Sequence, residues 1–350
     1  MNPVSRNRTM MIRLAIIGAS GYTGAECVRL AAAHPNIDIK ALTGERHRGQ
    51  PMGAVYAHLA HLDLPDLIDV QEVNFDAIDV VICGLPHGLS QTVLADLPVR
   101  VRIIDLSADF RLRDPADYEA WYGKPHQAKA LQKQAVYGLT ELNRPAIATA
   151  RLVANPGCYP TAALLCLQPL LAAGLIASDP IIIDAKSGVS GAGRSLAQDR
   201  LFCEVAESLR PYGVGHHRHM VEIDQELNAA KDAGGTVQVS FTPHLVPMNR
   251  GELVTCYVHG EAQALLAHLQ DVYADEPFVL VGEQIPTTAD VRGSNCARLC
   301  VRADRKKGRA IVIGVIDNLL KGASGMAIQN LNVMAGWDET LGLSRIAQFP

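Results

Sequence analysis

The sequence predicts an α/β protein with an N-terminal Rossmann-type parallel sheet and a second, α+β domain whose sheet is mostly antiparallel. A short apolar run, Ile12–Ile17, leads directly into a glycine-rich turn and then into apolar residues at helical spacing. Strand-like and helix-like segments alternate up to about residue 173, and β-rich segments dominate beyond it. The length of 350 residues leaves room for two domains of ordinary size.

The first half of the chain supplies the repeating strand, turn and helix units of a parallel sheet. Short apolar runs predict buried strands at 12–17, 37–42, 80–83, 101–106 and 153–154. Apolar residues at helical spacing predict helices at 25–33, 87–95 and 161–173. Because parallel strands need crossover connections, this alternation indicates a doubly wound sheet.

The second half has a different pattern. One clear helix, 262–273, interrupts β-rich segments at 181–185, 236–241, 253–258, 297–301 and 310–316. A last apolar helix at 325–335 is expected to pack back onto the first domain, and the charge run at 302–309 is expected to form a solvated hairpin turn. We therefore expect a flexible tail at 1–10, a Rossmann domain made of 11–157 and 320–350, and a second domain at 158–319.

Composition and charge argue against several classes of function. Lys and Arg total 32 against 36 Asp and Glu, and the net charge of −4 implies no basic face for nucleic acid. The sequence contains no uninterrupted run of eighteen apolar residues, which argues against a membrane span. The eight cysteines form no CxxC pair and no signal-peptide pattern is present, so we expect a reduced, cytoplasmic protein.

The glycine-rich turn after the first strand predicts a dinucleotide site. Gly18, Gly21 and Gly24 follow a GxxGxxG spacing, and Ser20 and Thr23 add hydroxyl donors. Glycine lets the backbone approach a pyrophosphate closely, and the helix start that follows offers free N–H groups. The alternative is a tight strand-to-helix turn that binds no ligand.

The segment after the second strand bears on which dinucleotide binds. An arginine at this place accommodates the 2′-phosphate of NADP, whereas a carboxylate binds the ribose hydroxyl of NAD. Thr43, Arg46 and Arg48 favour NADP, and Glu45 favours NAD. A solvated polar loop is the competing interpretation, above all for Arg48.

Cys158 is the candidate nucleophile. It follows Asn-Pro-Gly at the start of a long apolar helix, where free N–H groups and the helix dipole favour the thiolate and can hold an oxyanion. A proton-transfer partner is expected in the segment 216–222, where His217 and His219 precede Glu222. The spacing of these side chains is poor for zinc, so no metal is expected.

Three further segments offer donors to anions. The loop 186–194 combines glycines, serines and two cations at a strand end, without the spacing of an ATP-binding P-loop. Arg111 follows a parallel strand, where ligands of open sheets gather, and its alternative role is a salt bridge to a nearby aspartate. The segment 85–88, which follows Gly84 and contains Pro86, either borders the dinucleotide or caps the next helix.

Taken in order, these segments resemble the N-acetyl-γ-glutamyl-phosphate reductase family, which is related to aspartate-semialdehyde dehydrogenase. The resemblance spans nearly the whole chain from residue 11, and NPGCYPT at 155–161 is its most specific motif. The other motifs are GASGYTGAE at 18–26, LPHG at 85–88, DLSADFRL at 105–112, YGLTELNR at 137–144, KSGVSGAGR at 186–194, HHRHMVEI at 216–223 and DNLLKGASGMAIQN at 317–330. Val221 departs from the proline that is common in the family, and the loop 43–49 is less typical.

The resemblance implies a catalytic and oligomerising second domain, NADP(H) as the cofactor and a small acyl-phosphate substrate. It implies Cys158 as the nucleophile and a histidine as acid/base, with His219 favoured over His217. The implied cofactor-binding residues are Gly18, Ser20, Gly21, Tyr22, Thr23, Gly24, Thr43, Arg46, Arg48, Gly84, Pro86, Ser187, Gly188 and Asn318. The implied substrate-binding residues are Arg111, Ser190, Gly191 and Arg194.

The activity that the resemblance implies is reductive dephosphorylation of N-acetylglutamyl 5-phosphate to the 5-semialdehyde, through a cysteine thioester, in arginine biosynthesis. The partner is then the substrate, and the chain is expected to form a homo-oligomer, either a dimer or a tetramer. Two alternatives stay open. One is a related acyl-phosphate reductase, either aspartate-semialdehyde dehydrogenase or the carrier-protein-linked reductase of lysine synthesis, and the other is a non-catalytic NAD(P) sensor.

Overall fold

The structure, a computed structural model, describes residues 11–231 and 236–348, so the predicted tail at 1–10 lies outside it. Within these two ranges the strands form two sheets of seven strands each. The strands of the first sheet are β1 (Ile12–Ile17), β2 (Ile37–Thr43), β3 (Leu67–Ile68), β4 (Val80–Cys83), β5 (Arg102–Asp105), β6 (Ala135–Tyr137) and β7 (Leu152–Ala154). All neighbours in this sheet run parallel.

The first sheet has the strand order β3-β2-β1-β4-β5-β7-β6. The order reverses at β1, so the carboxyl ends of β1 and β4 border one crevice, which is where open α/β sheets bind ligands. The α-helices in this part of the chain are α1 (Tyr22–Ala32), α2 (Met52–Val55), α3 (Ser90–Ala95), α4 (Pro115–Tyr122), α5 (Lys129–Gln132) and α6 (Thr140–Thr149).

The second sheet is mixed and mostly antiparallel, as the sequence predicts. Its strands are β8 (Ile182–Gly188), β9 (Arg210–Pro211), β10 (Ser240–Val246), β11 (Glu252–His259), β12 (Val279–Val281), β13 (Ala297–Ala303) and β14 (Arg309–Ile316). They lie in the order β12-β13-β14-β11-β8-β10-β9. The remaining α-helices of the described residues are α7 (Cys158–Ala172), α8 (Phe202–Val205), α9 (His219–Ala230), α10 (Ala262–Val272) and α11 (Gly325–Ala335).

Helix α7 is the centre of the second domain's core. It is apolar on nearly every side and is buried along almost its whole length, as expected of such a helix. It packs against β11 and β14 on one side and against α9 and α10 on the other. Its first residue, Cys158, is only partly buried, so this end of the helix emerges from the core beside the first domain.

Helix α11 packs on α1 and α6 of the first domain, as the sequence predicts for the last helix. Its Asn330 side chain donates hydrogen bonds to the Gly138 carbonyl at 2.9 Å and to Asn155 Oδ1 at 3.1 Å. Thr140 Oγ1 donates to Asn330 Oδ1 at 2.8 Å. This packing supports the proposal that 320–350 belongs with the first domain, and it ties α11 to the residues that precede Cys158.

Some element boundaries differ from the sequence prediction for local reasons. The predicted helix at 87–95 begins at Ser90, because Gly88 adopts a φ of +86°, outside the helical range. The predicted strand at 236–241 begins at Ser240 and continues to Val246, through Pro243. A proline normally argues against a central strand, but the Pro243 carbonyl still accepts a hydrogen bond from the Tyr212 N–H at 3.0 Å.

Candidate active site

The side chain of Cys158 lies where two clefts meet. Gly157 is the N-cap of α7 and Cys158 is its first helical residue, so the sulfur sits at the helix N-terminus that the sequence predicts. Cys158, His219 and Gly191 line both a cleft of about 450 Å³, formed mainly by the second domain and bordered by His87, Ala108 and Tyr122 of the first, and a cleft of about 350 Å³ that reaches the glycine-rich turn. A group bound in either cleft therefore reaches the same sulfur and the same imidazole.

The electrostatic setting of Cys158 differs from the sequence expectation. The helix start alone predicts a lowered thiol pKa. In the structure, burial and the carboxyl of Glu252 raise the pKa of the Cys158 thiol well above its ordinary value, against the opposing effect of the Tyr159 N–H. The thiol is therefore the stable form in the free protein, and a proton acceptor is needed before the sulfur can attack.

His219 is the imidazole nearest to the start of α7. A Cβ on Gly157 would collide with its Nε2, so this ring packs directly against the residue before Cys158. Burial, followed by the neighbouring His217 and Arg111, lowers the pKa of His219 well below its ordinary value. Its Nδ1 has no hydrogen-bond partner within the described ranges. The ring is therefore neutral near pH 7 and able to accept a proton.

His217 faces the second-domain cleft and belongs to an aromatic cluster. Its ring lies edge-on to Tyr212 and Phe241, with centroids 5.3 and 5.4 Å away. Its Nδ1 accepts a hydrogen bond from the His219 N–H at 3.2 Å. Burial, with Arg218 and His216, lowers the pKa of His217 to about 4. The structure therefore brings both predicted histidines to the site, but only His219 also lines the cleft of the glycine-rich turn.

A buried ion pair supports the start of α7. Arg111 donates to Glu222 Oε2 at 3.2 Å and to the carbonyls of Asn155 and Leu106 at 2.8 and 3.0 Å. Sequence reasoning offers an aspartate as the partner of Arg111, whereas the structure pairs it with Glu222. The guanidinium lines the cleft of the glycine-rich turn, beside Gly157, and has most of its hydrogen-bonding capacity committed to the protein.

The cleft in the second domain is rich in arginine. Arg200, Arg210 and Arg218 line it, and Asp199 is the acidic residue among its lining side chains. Asp199 pairs with Arg210 at 2.6 Å. A cleft with this excess of guanidinium groups suits a substrate with phosphate and carboxylate groups. Sequence reasoning missed Arg200 and Arg210 because they lie in short elements with no motif, and it missed Arg218 because the histidines beside it in the segment 216–223 took the functional interpretation.

The second cleft connects the glycine-rich turn with Cys158, and its residues fit a nicotinamide dinucleotide. No side chain caps the first turn of α1, and that turn carries no acidic residue, so its N–H groups are available to a phosphate. Among the predicted cofactor residues, those that line this cleft are Gly21, Tyr22, Thr23, Gly84, Pro86 and Asn318. Asn318 is held at the Cys158 end by hydrogen bonds from the Gly251 N–H at 2.8 Å and to Ser190 Oγ at 3.0 Å.

Gly18 and Gly24 shape the turn rather than line the cleft. Gly18 has a φ of +82°, and a Cβ there would come within 2.8 Å of the Gly84 carbonyl oxygen. A Cβ on Gly24 would collide with the Gly18 carbonyl oxygen. These two glycines therefore allow α1 to start tightly against β1 and β4, while Gly21 faces open space apart from one contact at 3.6 Å.

The comparisons with known proteins agree with this geometry. Residues 13–150 match the model of the semialdehyde dehydrogenase NAD binding domain, and residues 158–318 match that of the semialdehyde dehydrogenase dimerisation domain. N-acetyl-gamma-glutamyl-phosphate reductase of Rhodospirillum rubrum is 56% identical, over 97% of this chain and 99% of that protein. The chain belongs to the N-acetyl-γ-glutamyl-phosphate reductase family. Family members from Paracoccus denitrificans and Arabidopsis thaliana are each 52% identical, over 97% of this chain and 100% and 86% of their own lengths.

Solved structures of similar fold are aspartate semialdehyde dehydrogenases. The type II enzyme of Vibrio cholerae superposes with a TM-score of 0.71 at 19% identity, covering 93% of this chain and 99% of that one. The enzyme of Candida albicans, described with NADP, gives a TM-score of 0.65 at 16% identity, covering 93% and 98%. At these identities the likeness shows the fold alone. The family models and relatives together establish a nicotinamide-cofactor-binding domain and a dimerisation domain in this member of the reductase family.

The residues expected to contact a 2′-phosphate lie in different settings in this family member. Thr43 is buried, and its Oγ1 accepts a hydrogen bond from the Gly18 N–H at 3.0 Å, so it stabilises the turn. Arg48 is exposed and forms an ion pair with Glu72 at 2.7 Å. Arg46 is exposed and forms no salt bridge with any residue that the structure describes. Arg46 is therefore the guanidinium that is free to meet a phosphate.

The serine and glycine loop after β8 is divided between the two clefts. Ser187 lines the arginine-rich cleft, and Ser190 lines the cleft of the glycine-rich turn. Gly188 packs against the Asn249–Arg250 backbone, where a Cβ would come within 2.9 Å. Arg194 contacts the glycine-rich turn, because its Nη1 donates a hydrogen bond to the Ser20 carbonyl at 3.1 Å. Its guanidinium also lies 4.6 Å from the centre of the Tyr56 ring.

Two further findings concern metals and membranes. Among the described residues, no group of three or more His, Cys, Asp or Glu side chains is arranged to hold a metal ion. None of the helices in those ranges combines the length and the apolar character that crossing a bilayer requires.

Proposed function

We propose that the chain catalyses the NADPH-dependent reductive dephosphorylation of N-acetylglutamyl 5-phosphate to N-acetylglutamate 5-semialdehyde and phosphate, a step of arginine biosynthesis. Membership of the reductase family supports this substrate. The observation that carries the proposal is the position of Cys158 and His219, which line both the arginine-rich cleft and the cleft of the glycine-rich turn. A reaction that needs a nucleophile between a substrate and a dinucleotide requires this arrangement.

The first chemical step is attack of the Cys158 sulfur on the acyl-phosphate carbonyl. The S–C bond forms, the carbonyl electron pair moves to oxygen, and the N–H groups at the start of α7 stabilise the resulting oxyanion. The pair then returns, the C–O bond to phosphate breaks, and phosphate leaves with the electrons of that bond. A thioester on Cys158 remains, which is a better electrophile than a carboxylate.

His219 serves as the acid/base of the second half of the reaction. Its imidazole is neutral at rest because burial lowers its pKa, so it can accept a proton and return it to an oxygen of the substrate. A reduced nicotinamide cofactor, when bound along the glycine-rich turn, would supply two electrons and a hydrogen to the thioester carbon. Arg200, Arg210 and Arg218 are assigned the role of binding the phosphate or carboxylate groups of the substrate.

The finer properties of the enzyme are also proposals. NADP is favoured over NAD because Arg46 is exposed and lacks an ion pair in the described chain. A homodimer or tetramer is proposed from the match of residues 158–318 to a dimerisation domain. A cytoplasmic location in the cell is proposed because all eight cysteines are free thiols.

The test is a phosphate-dependent assay of the reverse reaction, run with purified full-length protein. N-acetylglutamate 5-semialdehyde and aspartate semialdehyde are compared, each with NADP and with NAD. We expect NADP reduction that needs phosphate and favours the acetylated semialdehyde by at least about a hundredfold in kcat/KM. A preference for aspartate semialdehyde would assign the chain to the neighbouring activity, and no turnover with either would favour a non-catalytic sensor.

A further inference from the structure

Glu252 is a fully buried carboxyl that neither the sequence motifs nor the proposed mechanism explains. It is the first residue of β11, and along this strand the buried side chains alternate. Glu252 therefore shares a face with Val254 and Cys256, which belong to the core around α7. Since α7 begins at Cys158, a side chain at the start of β11 on this face lies behind the nucleophile.

The sheet register places Glu252 next to Cys158 independently of that alternation. Glu252 pairs with Ser187 on β8 and with Ile316 on β14. Ser187 lines the same cleft as Cys158. A Cβ on Gly322 would lie 2.8 Å from Cys158 Cβ and 3.2 Å from Ile316 Cδ1, so Ile316, one strand neighbour of Glu252, lies close to the cysteine.

The carboxyl has no competing partner in the described part of the chain. Both of its oxygens are buried without a hydrogen-bond partner there. Burying a carboxyl in this way costs free energy of folding, so such a group calls for a functional explanation. The Glu252 carboxyl raises the pKa of the Cys158 thiol, and the thiol lowers the pKa of the carboxyl, so the two groups lie within electrostatic reach of each other. The other titratable or charged groups around the pair are Tyr159 of α7, Tyr212 after β9 and Arg111 after β5, with Asp317 and Arg250 at the adjoining strand ends.

We propose that Glu252 is a catalytic residue, the proton acceptor that converts the Cys158 thiol into the attacking sulfur. The inference rests on the proposed function only in taking Cys158 as the nucleophile. Tyr159 and Tyr212 keep their protons near neutral pH, because burial raises the pKa of both phenols. Glu252 is therefore the acceptor that lies behind the sulfur, while His219 lies on the substrate and cofactor side.

The proton balance closes within the pair. As Cys158 Sγ bonds to the acyl carbon, the S–H bond breaks and its proton moves to a carboxylate oxygen of Glu252. The electrons of the S–H bond become those of the new S–C bond, and phosphate leaves with the electrons of the C–O bond. When the reduced product departs, sulfur takes the electrons of the S–C bond and recovers the proton from Glu252.

The acid strength of the pair fits this role. Burial raises the pKa of Glu252 to about 8, so the carboxylate that accepts the proton is the minor form near pH 7 and becomes the main form above pH 8. Burial raises the pKa of the Cys158 thiol as well, so the proton transfer is completed only as the new S–C bond forms. Because the two groups interact, each apparent pKa describes the Cys158–Glu252 pair and cannot be attributed to one residue alone.

Alkylation of Cys158 by iodoacetamide tests the proposal without substrate or cofactor. The rate is followed by peptide mass spectrometry from pH 6 to 10, in the full-length protein and in Glu252→Gln. We expect the wild-type rate to rise with an inflection near 8. In Glu252→Gln the thiol must ionise alone in a buried site, so the inflection moves up by at least one unit and the rate at pH 8 falls about tenfold.

The direction of the shift decides between the proposal and its rivals. If Glu252 were only a nearby negative charge, its removal would ease thiol ionisation, and the inflection would move down. If it were only structural, the inflection would stay in place. Either outcome overturns the proposal, and both are independent of which semialdehyde the enzyme prefers.

Two variants control for folding. Glu226→Gln, which replaces another buried glutamate that pairs with Arg113 at 2.9 Å, is expected to keep the wild-type profile. Glu252→Asp keeps the carboxyl but withdraws it by one methylene, so the inflection stays below that of Glu252→Gln while the rate falls. Full wild-type reactivity of the aspartate variant at every pH would contradict proton transfer over a fixed distance, even if the glutamine variant did not fold.

Discussion

The backbone N–H of Gly157 donates a hydrogen bond to Glu222 Oε1 at 2.9 Å. Glu222 lies three residues after His219 on α9, and Gly157 precedes Cys158, so one carboxylate connects the helix that carries His219 to the residue before Cys158. The same carboxylate accepts a hydrogen bond from the Tyr137 hydroxyl at 2.8 Å and pairs with Arg111. The relative position of the sulfur and the imidazole is therefore fixed by a buried residue outside both clefts.

Glu222→Gln tests this positioning role. The amide keeps an acceptor for Gly157 but removes the charge that balances the buried Arg111, so we expect stability to fall by about 2–4 kcal/mol. We also expect kcat to fall at least about tenfold, with a smaller change in KM. Urea unfolding and steady-state kinetics measure the two effects, with exposed Glu119→Gln as the control. An unchanged kcat would show that Glu222 contributes to folding alone.

Cys158→Ser removes the proposed nucleophile while changing one atom. A serine hydroxyl ionises far less readily than a thiol, so we expect kcat to fall by about three orders of magnitude or more. NADPH affinity, measured by fluorescence titration, is expected to stay within about twofold, because the glycine-rich turn is untouched. Cys203→Ser, at an exposed cysteine, is the matched control and should retain full activity. Substantial turnover by Cys158→Ser would refute the thioester route.

The parallel sheet could be predicted from sequence because its central strands β4, β5 and β7 are buried on both faces. Val80–Cys83, for example, is a continuous apolar run that appears in the structure with the same bounds. The two-residue strands β3 and β9 left no such signal, because their pairing is set by neighbouring strands rather than by their own composition. Tertiary pairing also extended β10 through Pro243, against its local propensity.

The presence of Cys158 and His219 in the two clefts could also be predicted, because each residue has local sequence context. Cys158 begins a helix after Pro-Gly, and His219 lies in a histidine-rich segment at the start of another helix. Glu252 had no such context, since a glutamate at the start of an apolar strand usually faces solvent. Its burial beside Cys158 depends on the register of β11 between β8 and β14, which the sequence alone does not supply.

The pH dependence of stability should reflect the buried histidines. His217 has a folded pKa of about 4 against an ordinary value of 6.5, so the unfolded chain binds more protons between these values. Stability is therefore fully present above pH 6.5 and is lost as the pH falls toward 4, at up to about 1.4 kcal/mol per pH unit for one histidine. Urea unfolding of His217→Gln should show a shallower loss over this window. His259→Gln, at an exposed histidine, should follow the wild type, and an unchanged slope in His217→Gln would contradict the assignment.

Cofactor preference should depend on Arg46 more than on Arg48. Arg46 has no ion pair in the described chain, whereas Arg48 is already paired with Glu72 at 2.7 Å. We expect Arg46→Ala to raise the KM for NADPH about tenfold, because a charge-assisted contact to the 2′-phosphate is lost. Arg48→Ala is expected to change it by about twofold. Parallel kinetics with NADH provide the control, and an equal effect of Arg46→Ala on both cofactors would place the 2′-phosphate elsewhere.

The buried ion pair between Lys321 and Glu141 should be necessary for stability. Both side chains are fully buried, with Lys321 Nζ 2.5 Å from Glu141 Oε1 and 2.8 Å from Gln329 Oε1. Lys321→Met leaves Glu141 as an uncompensated buried charge, so we expect a loss of about 3–5 kcal/mol in urea unfolding. Adding Glu141→Leu to this variant removes the orphaned charge and should recover most of the loss, whereas Lys306→Met at an exposed site should have no effect.

Gly322, which follows Lys321, packs against Cys158. A double variant that regains stability but not kcat would show that the pair also positions the segment behind the nucleophile, and failure to regain stability would mean that the pair contributes more than charge balance.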